Sequence, residues 1–258
     1  EEVINKTNSI DKCIENIDIG GPALIRAAAK NYMSKAVVVD ISDYPRIKED
    51  LEKYNGITIE LRKYLAVKAF RRILNYDLEI YNWYEKKIGI NRDENFLLSG
   101  YRLETLRYGE NPHQSAAVYS IASQDKKPFY ELLNGKSLSY NNLNDLKTSL
   151  NLLVEFDKPA AVIIKHAIPC GVAEAENVFK AWEQSFHADS LSAFGGVVAL
   201  NRTVDEKLAY KLLNIFLEVV AAKNFTNKAL KILKNKKNLR IIKIKNLKIF
   251  KNKKPKNI

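Results

Sequence analysis

Lys165 and His166 are the adjacent pair in this sequence best suited to moving a proton. They end a short apolar run, Ala160 to Ile164, whose composition is that of a strand buried on both faces. Pro169 and Gly171 come directly after and predict an irregular loop. In open α/β sheets functional side chains collect where parallel strands end, so this pair predicts a proton-transfer site. A snorkelling lysine beside a surface histidine fits the same spacing. A second set lies in Arg107-Tyr-Gly-Glu-Asn-Pro-His-Gln114, where Arg, Tyr, Asn and His share one loop. Such a loop suits a sugar phosphate, because arginine grips phosphate through two parallel donors; a hydrogen-bonded turn closed by Pro112 is the alternative. Gly20-Gly21-Pro22 opens a helix whose free N–H groups could meet an anion, although a plain strand-to-helix turn reads the same way. Arg26 and Lys30 share a face of that helix.

The elements that must position these residues emerge from periodicity and punctuation. Residues 1–16 read as the last turns of a helix, and Ile17-Asp-Ile19 as strand-like before the Gly-Gly-Pro turn. Ala36 to Asp40 reads as a buried strand, with Ser42-Asp43 capping a helix to about Tyr54. Thr58 caps a longer helix that breaks near Tyr76-Asp77 before a second piece, Leu78 to Lys87. The aromatics Tyr76, Tyr81, Trp83 and Tyr84 read as packing residues. Gly89 to Glu94 is the linker candidate. Beyond it come a strand from Ala116 to Tyr119, a turn or hairpin at Asn134-Gly135, and a helix from about Asn144-Asp145 to Phe156. After the Lys-His loop the order is helix (178–186), glycine-ended turn (189–196), strand (197–200), helix (204–213), strand (216–222) and helix (226–233). That alternation is the pattern of a layered α/β domain.

The net charge of +12 raises a nucleic-acid binder, but twelve Lys and one Arg lie beyond Phe225 with no acidic residue among them. The remainder is close to neutral, so the charge belongs to one tail and not to a basic domain. Beyond about Ile244 the chain falls into repeating Lys, Asn, Ile and Leu, and that last stretch reads as a solvated or non-native end and not a nucleic-acid tail. Cys13 and Cys170 form no disulfide or metal framework, in keeping with a reducing cytoplasm. The first residues are two glutamates, not a signal peptide, and no apolar run is long enough for a membrane span.

Lys165-His-Ala-Ile-Pro-Cys-Gly171 resembles the Lys-His-x-Asn-Pro-Cys-Gly signature of the bifunctional purine-biosynthesis enzymes. These join an aminoimidazole carboxamide ribonucleotide (AICAR) transformylase to an inosine monophosphate (IMP) cyclohydrolase. Four more segments match in order: Asp18-Ile-Gly-Gly-Pro through Lys30-Asn31, Leu106 to Gln114, Leu138-Ser-Tyr-Asn-Asn142, and Asp189 to Gly196. Glu218-Val-Val also matches, with Lys223 where the family has proline. The resemblance implies an α/β fold: the C-terminal part of a methylglyoxal-synthase-like cyclohydrolase domain with a helical linker (1–94), then the first half of a deaminase-like transformylase domain (95–245). Residues 246–258 form the tail. It implies formyl transfer from 10-formyltetrahydrofolate to AICAR, giving the formylated product FAICAR, and cyclisation to IMP with loss of water. It also implies a cytoplasmic homodimer without metal, nucleic acid or membrane.

Carried over residue by residue, the resemblance gives His166 as general base and Lys165 as the charge that steadies the oxyanion or relays a proton. Lys30 takes the proton-transfer role of the cyclohydrolase. Arg107, Tyr108, Gly195 and Glu218 bind AICAR, and Asp18 and Ile19 contact the nucleotide of the cyclohydrolase. One departure is Ile168, where the family has Asn. The family's N-terminal phosphate loop and most of its folate site have no counterpart here, which predicts impaired activity. A non-catalytic remnant that only binds nucleotide or dimerises is the alternative. Pro169-Cys170 raises zinc deaminases, whose signature needs His-x-Glu and Pro-Cys-x-x-Cys. His113, His166 and His187 are followed two residues on by Ser115, Ile168 and Asp189, and the second Cys position is Ala173, so that chemistry is excluded.

Overall fold

The structure is a computed structural model that describes residue 3 and residues 9–88, 97–121 and 128–250. The linker candidate, Gly89 to Glu94, lies outside the described residues. Chain contacts divide the protein into two units, Glu1–Ser99 and Gly100–Ile258.

In the first unit, helix α1 (Ile10–Glu15) is capped by Ser9, and α2 (Gly20–Lys30) begins at the glycine pair. Ile17-Asp-Ile19 is not a strand; Asp18 instead accepts from Gly21 N at 2.9 Å and starts the helix. Residues 35–40 form no regular element, and no strand pairs with them among the described residues of this unit. Val37 and Val39 pack on Ala29, Ala66 and Ala69, which join α2 to the long helix α4 (Ile59–Ile88). Between them, α3 (Tyr44–Tyr54) follows a 3₁₀ turn whose cap is Asp40, bonded to Ser42 N, and not Ser42 or Asp43. The break expected near Tyr76 does not occur: α4 runs unbroken for 30 residues, about 45 Å of helix. Neither residue there is glycine or proline, so the i→i−4 ladder has nothing to interrupt it. Thr58 caps α4 and is itself held by Asp50 at 2.6 Å. Trp83 is buried and Tyr76 accepts from Asp18 N, whereas Tyr81 stands at the surface.

Asp43 is buried and bonds Lys68 Nζ at 2.6 Å, while Asp40 meets the same ammonium at 3.0 Å. Hydrogen bonds from Ser42, then Lys68, hold the Asp40 carboxyl well below the usual carboxylate range. The bond to Asp43 pushes Lys68 upward. A depressed carboxyl stabilises the fold above its unfolded pKa, near 4, and loses that contribution as pH falls through the folded value. The raised lysine contributes fully below its unfolded pKa and loses that contribution as pH rises through its folded value. Lys68→Met should therefore lower the thermal midpoint at about pH 7, with a smaller deficit near pH 2. Melting curves at the two pH values check this, and equal deficits would remove Asp40 from the account.

The second unit holds a small antiparallel pair, β1 (Tyr101–Thr105) with β2 (Ala117–Ser120), and a six-stranded mixed sheet. The large sheet comprises β3 (Tyr130–Asn134), β4 (Ala160–Lys165), β5 (Ile168–Glu174), β6 (Val197–Val204), β7 (Val219–Phe225) and β8 (Arg240–Ile244), in the order β3-β8-β7-β6-β4-β5. Packed with it are α5 (Tyr140–Leu153), α6 (Val178–Ala188), α7 (Glu206–Leu213) and α8 (Asn227–Leu233). Side chains alternate along each central strand. Ala161, Ile163, Val198, Leu200, Val220 and Ala222 face the core shared with α6, α7 and α8. Val162, Ile164, Val197, Ala199, Val219 and Ala221 face the core under α5. Burial on both faces is why these strands read as continuous apolar runs.

The sheet departs from its expected pairing in several places. β4 pairs antiparallel with both neighbours; only β6, β7 and β8 run parallel. Asn134-Gly135 makes no hairpin, since β3 pairs with β8, more than a hundred residues later. Gly135 is required by close approach: a Cβ there would sit 2.7 Å from Leu239 O. Helix α5 starts earlier than expected because Ser139 and Asn142 form a reciprocal capping box. The tail is not wholly solvated, for Leu247 and Phe250 pack on the core under α5 and Phe250 meets Phe129 edge-on at 5.2 Å.

Candidate active site

The run Ala160–Lys165 is a strand, as its composition predicts, but it leads into a tight hairpin and not an irregular loop. Lys165 pairs with Ile168, leaving His166 and Ala167 as a two-residue connection with φ of 54° and 60°. Left-handed backbone at both central positions is what a type I′ turn demands, normally of Asn-Gly. Neither residue here is of that kind, and each carries a strain of order 1–2 kcal/mol. The turn is tied down from outside: Ala167 N donates to Asp145 Oδ1 of α5 at 2.7 Å. Lys165 is half-buried and its Nζ donates to Phe194 O at 2.8 Å, while His166 is exposed.

The residues after the turn form the edge strand β5, where the missing N–H of Pro169 is tolerated. A bulge lets Gly171 oppose Ile163 and Pro169 oppose Ile164, so Cys170 is the extra residue. Its Sγ lies 3.6 Å from Ile163 O, and burial pushes the thiol upward, away from nucleophilic use. Gly171 serves packing: a Cβ there would stand 2.0 Å from Ser185 O of α6.

The turn Asp189 to Gly196 reaches the same edge of the sheet. Ser192 N donates to Asp189 Oδ1 at 2.9 Å, and bonding from Ser192 holds the Asp189 carboxyl below its ordinary range, with a smaller part from Lys165. Gly195 has φ 77° and its N donates to Phe216 O at 2.8 Å. A Cβ on Gly196 would sit 3.1 Å from Ile164 O, so this turn lies against the end of β4. Glu218 N donates to Gly196 O at 3.1 Å. The Glu218 carboxylate accepts from Asn142 Nδ2 at 2.6 Å and faces the buried Arg240, whose Nη1 is 3.7 Å away.

Asn142 thereby does two things, closing the cap of α5 with Oδ1 and holding Glu218 with Nδ2. The same end of α5 carries the Arg107 loop. Arg107 N donates to Leu138 O at 2.9 Å and Tyr140 N to Tyr108 O at 3.1 Å. Arg107 is exposed, with its guanidinium carbon 5.3 Å from the Tyr108 ring centre. One sheet edge thus gathers Lys165, Gly195 and Glu218, with the Arg107-Tyr108 backbone joined to it through α5. It is the carboxyl end of β4 but the amino end of the parallel strands β6, β7 and β8. The parallel-strand rule therefore pointed to the wrong reason for the location, because β4 runs opposite to those strands. Asp145 and Arg240 carried no signal of their own in the sequence; Asn142 lay in a matched segment without an assigned role.

In the first unit Asp18 and Ile19 precede α2 while Lys30 ends it, which puts roughly 16 Å of helix axis between them. Asp18 N donates to Tyr76 Oη at 2.8 Å, Ile19 is exposed, and Lys30 is exposed in the last turn. The structure does not bring these side chains together. Among the described residues, no cluster of three His, Cys, Asp or Glu forms a metal-ligand set, and no helix is long and apolar enough to cross a membrane.

A mixed sheet flanked by helices, with a Lys-His pair and an amide-bound carboxylate at one end, defines an α/β protein. The chain belongs to the AICARFT/IMPCHase bienzyme family, whose model matches residues 28–258. It is 46% identical over 252 residues to the bifunctional purine biosynthesis protein PurH of Thermoanaerobacter sp. (strain X514), covering 95% of this chain and 48% of that protein. The PurH protein of Anoxybacillus flavithermus is 44% identical over 245 residues, covering 94% and 48%. The chain thus spans about half the length of the curated relatives it matches. A solved structure of Acinetobacter baumannii RibD overlaps 39% of the chain at 16% identity and a TM-score of 0.32, too slight a likeness to carry an argument.

Proposed function

We propose that this chain carries part of both sites of a de novo purine-biosynthesis bienzyme: residues 1–94 from the cyclohydrolase and 95–245 from the transformylase. The first reaction forms a bond between the 5-amino nitrogen of AICAR and the formyl carbon of 10-formyltetrahydrofolate, and breaks the formyl bond to the folate nitrogen. The amine is a weak nucleophile, since its lone pair is delocalised into the ring and carboxamide. A base must take its proton during attack, and positive charge must steady the oxyanion on the formyl carbon. His166 is the base, imidazole being the side chain most often used to take a proton in catalysis. Lys165 supplies the charge, or the proton that the leaving folate nitrogen takes up. Arg107, Tyr108, Gly195 and Glu218 hold AICAR. FAICAR then closes to IMP with loss of water, with Lys30 moving protons and Asp18 and Ile19 contacting the nucleotide. The folate acts as a substrate and no metal is needed. A cytoplasmic homodimer is part of the reading, supported by family membership alone.

The observation that carries the transformylase half is the shared sheet edge, where hydrogen bonds run from Lys165 to Phe194, from Glu218 to Gly196, and from Asn142 to Glu218. Calorimetric titration of the chain with AICAR tests it. Arg107→Ala should weaken binding by about 10- to 100-fold, the loss typical of a charge-assisted bond. An unchanged dissociation constant would remove Arg107 from the site.

A further inference from the structure

We propose that Asp145 is the positioning residue of the Lys165-His166 turn, fixing the backbone from which the general base projects. The inference deepens the formyl-transfer reading and rests on it for its meaning in catalysis. Its geometric content does not, because it concerns one peptide unit. The N–H of Ala167 and the C=O of His166 belong to the same peptide plane, so anchoring that N–H sets ψ of His166 and φ of Ala167 together.

In a two-residue hairpin the strands bond through the residues flanking the turn, here Lys165 and Ile168. The Ala167 N–H is therefore left without a ladder partner, and Asp145 Oδ1 takes it at 2.7 Å. The turn needs such a partner more than most. Both central residues have left-handed backbone, at 54° and 60°, and both carry a β-carbon that disfavours it. A charge-assisted bond from a rigid helix is comparable in strength to that strain, so its loss should let the turn sample other shapes. Asp145 is well placed to act as a fixed support. It lies on α5, one turn beyond the capping box at Ser139 and Asn142 and next to the fully buried Leu146. Lys165 is held independently by Phe194 O, so Asp145 governs the histidine end of the pair and not the lysine.

The test uses the chain itself and reads amide exchange and His166 ring resonances by NMR. In Asp145→Ala, the Ala167 amide should exchange at least about tenfold faster, while the amides of Val162 and Val198 keep their protection. The His166 ring signals should broaden or split. Asp145→Asn keeps an oxygen acceptor and should restore a single set. So should Ala167→Gly added to Asp145→Ala, because glycine adopts the turn without strain. Unchanged exchange at Ala167 in Asp145→Ala would overturn the proposal. Equal acceleration at Val162 would assign Asp145 to the fold as a whole and overturn it too, as would failure of both rescues. These readouts involve no turnover, so failure of the formyl-transfer reading would leave them standing and is told apart by the AICAR titration.

Discussion

His166→Ala is expected to lower formyl transfer by about 10²–10⁴-fold, the contribution typical of a positioned general base. AICAR affinity should change far less, since the proposed reading gives binding to Arg107, Tyr108, Gly195 and Glu218. The reason lies in the amine. Its lone pair is delocalised, so attack without proton removal would leave a strongly acidic ammonium in the transition state, and His166 is the exposed imidazole at the end of β4. The measurement is tetrahydrofolate release by the chain joined to the remaining half of a relative such as the Thermoanaerobacter protein, beside the same protein with His166 intact. Near-normal turnover in the variant would take His166 out of the mechanism.

Gly171→Ala should have the largest effect on folding. The added carbon would lie 2.0 Å from Ser185 O and 2.9 Å from Ser185 C, both backbone atoms of α6, so no side-chain rotation relieves the clash. Ser185 is fully buried and its hydroxyl is tied to Trp182 O at 3.0 Å, which leaves the helix little freedom to retreat. Overpacking of this kind costs on the order of 3 kcal/mol, or about 6–12 °C in thermal midpoint for a unit of this size. Gly20→Ala is the control. A Cβ there meets nothing within 4 Å, at a helical position where alanine is favoured, so the midpoint should hold or rise slightly. Equal melting of the two variants would mean that α6 yields where the packing says it does not.

Gly171 also marks the boundary between what is legible in sequence and what is not. Its motif reads as a loop glycine beside proline. In the structure it lies in a strand, because an edge strand tolerates Pro169 and a bulge absorbs Cys170. Punctuation residues report a local conformational permission. Which permission is used depends on the neighbour, and for Gly171 the neighbour is a helix.

The sequence by itself determined the run Ala160 to Ile164 as a buried strand, the helices α6 to α8 to within a few residues, and the resemblance to the family through motifs in order. Each of these rests on information within a few residues: a continuous apolar run, helical periodicity, a short motif. Only the tertiary structure decided the pairing. Val37-Val-Val39 has the composition of a strand yet has no partner strand among the described residues, since a strand exists only through hydrogen bonds to another. Asn134-Gly135 looks like a hairpin, but β3 finds β8 across the unit. The site shows the same division. Lys165 and His166 stand out by type and place, whereas Asp145, Asn142 and Arg240 matter through contacts made 22, 76 and 22 positions away, to Ala167, Glu218 and Glu218. Long-range contacts of that kind are set by how the helices and strands pack together, which no local pattern records.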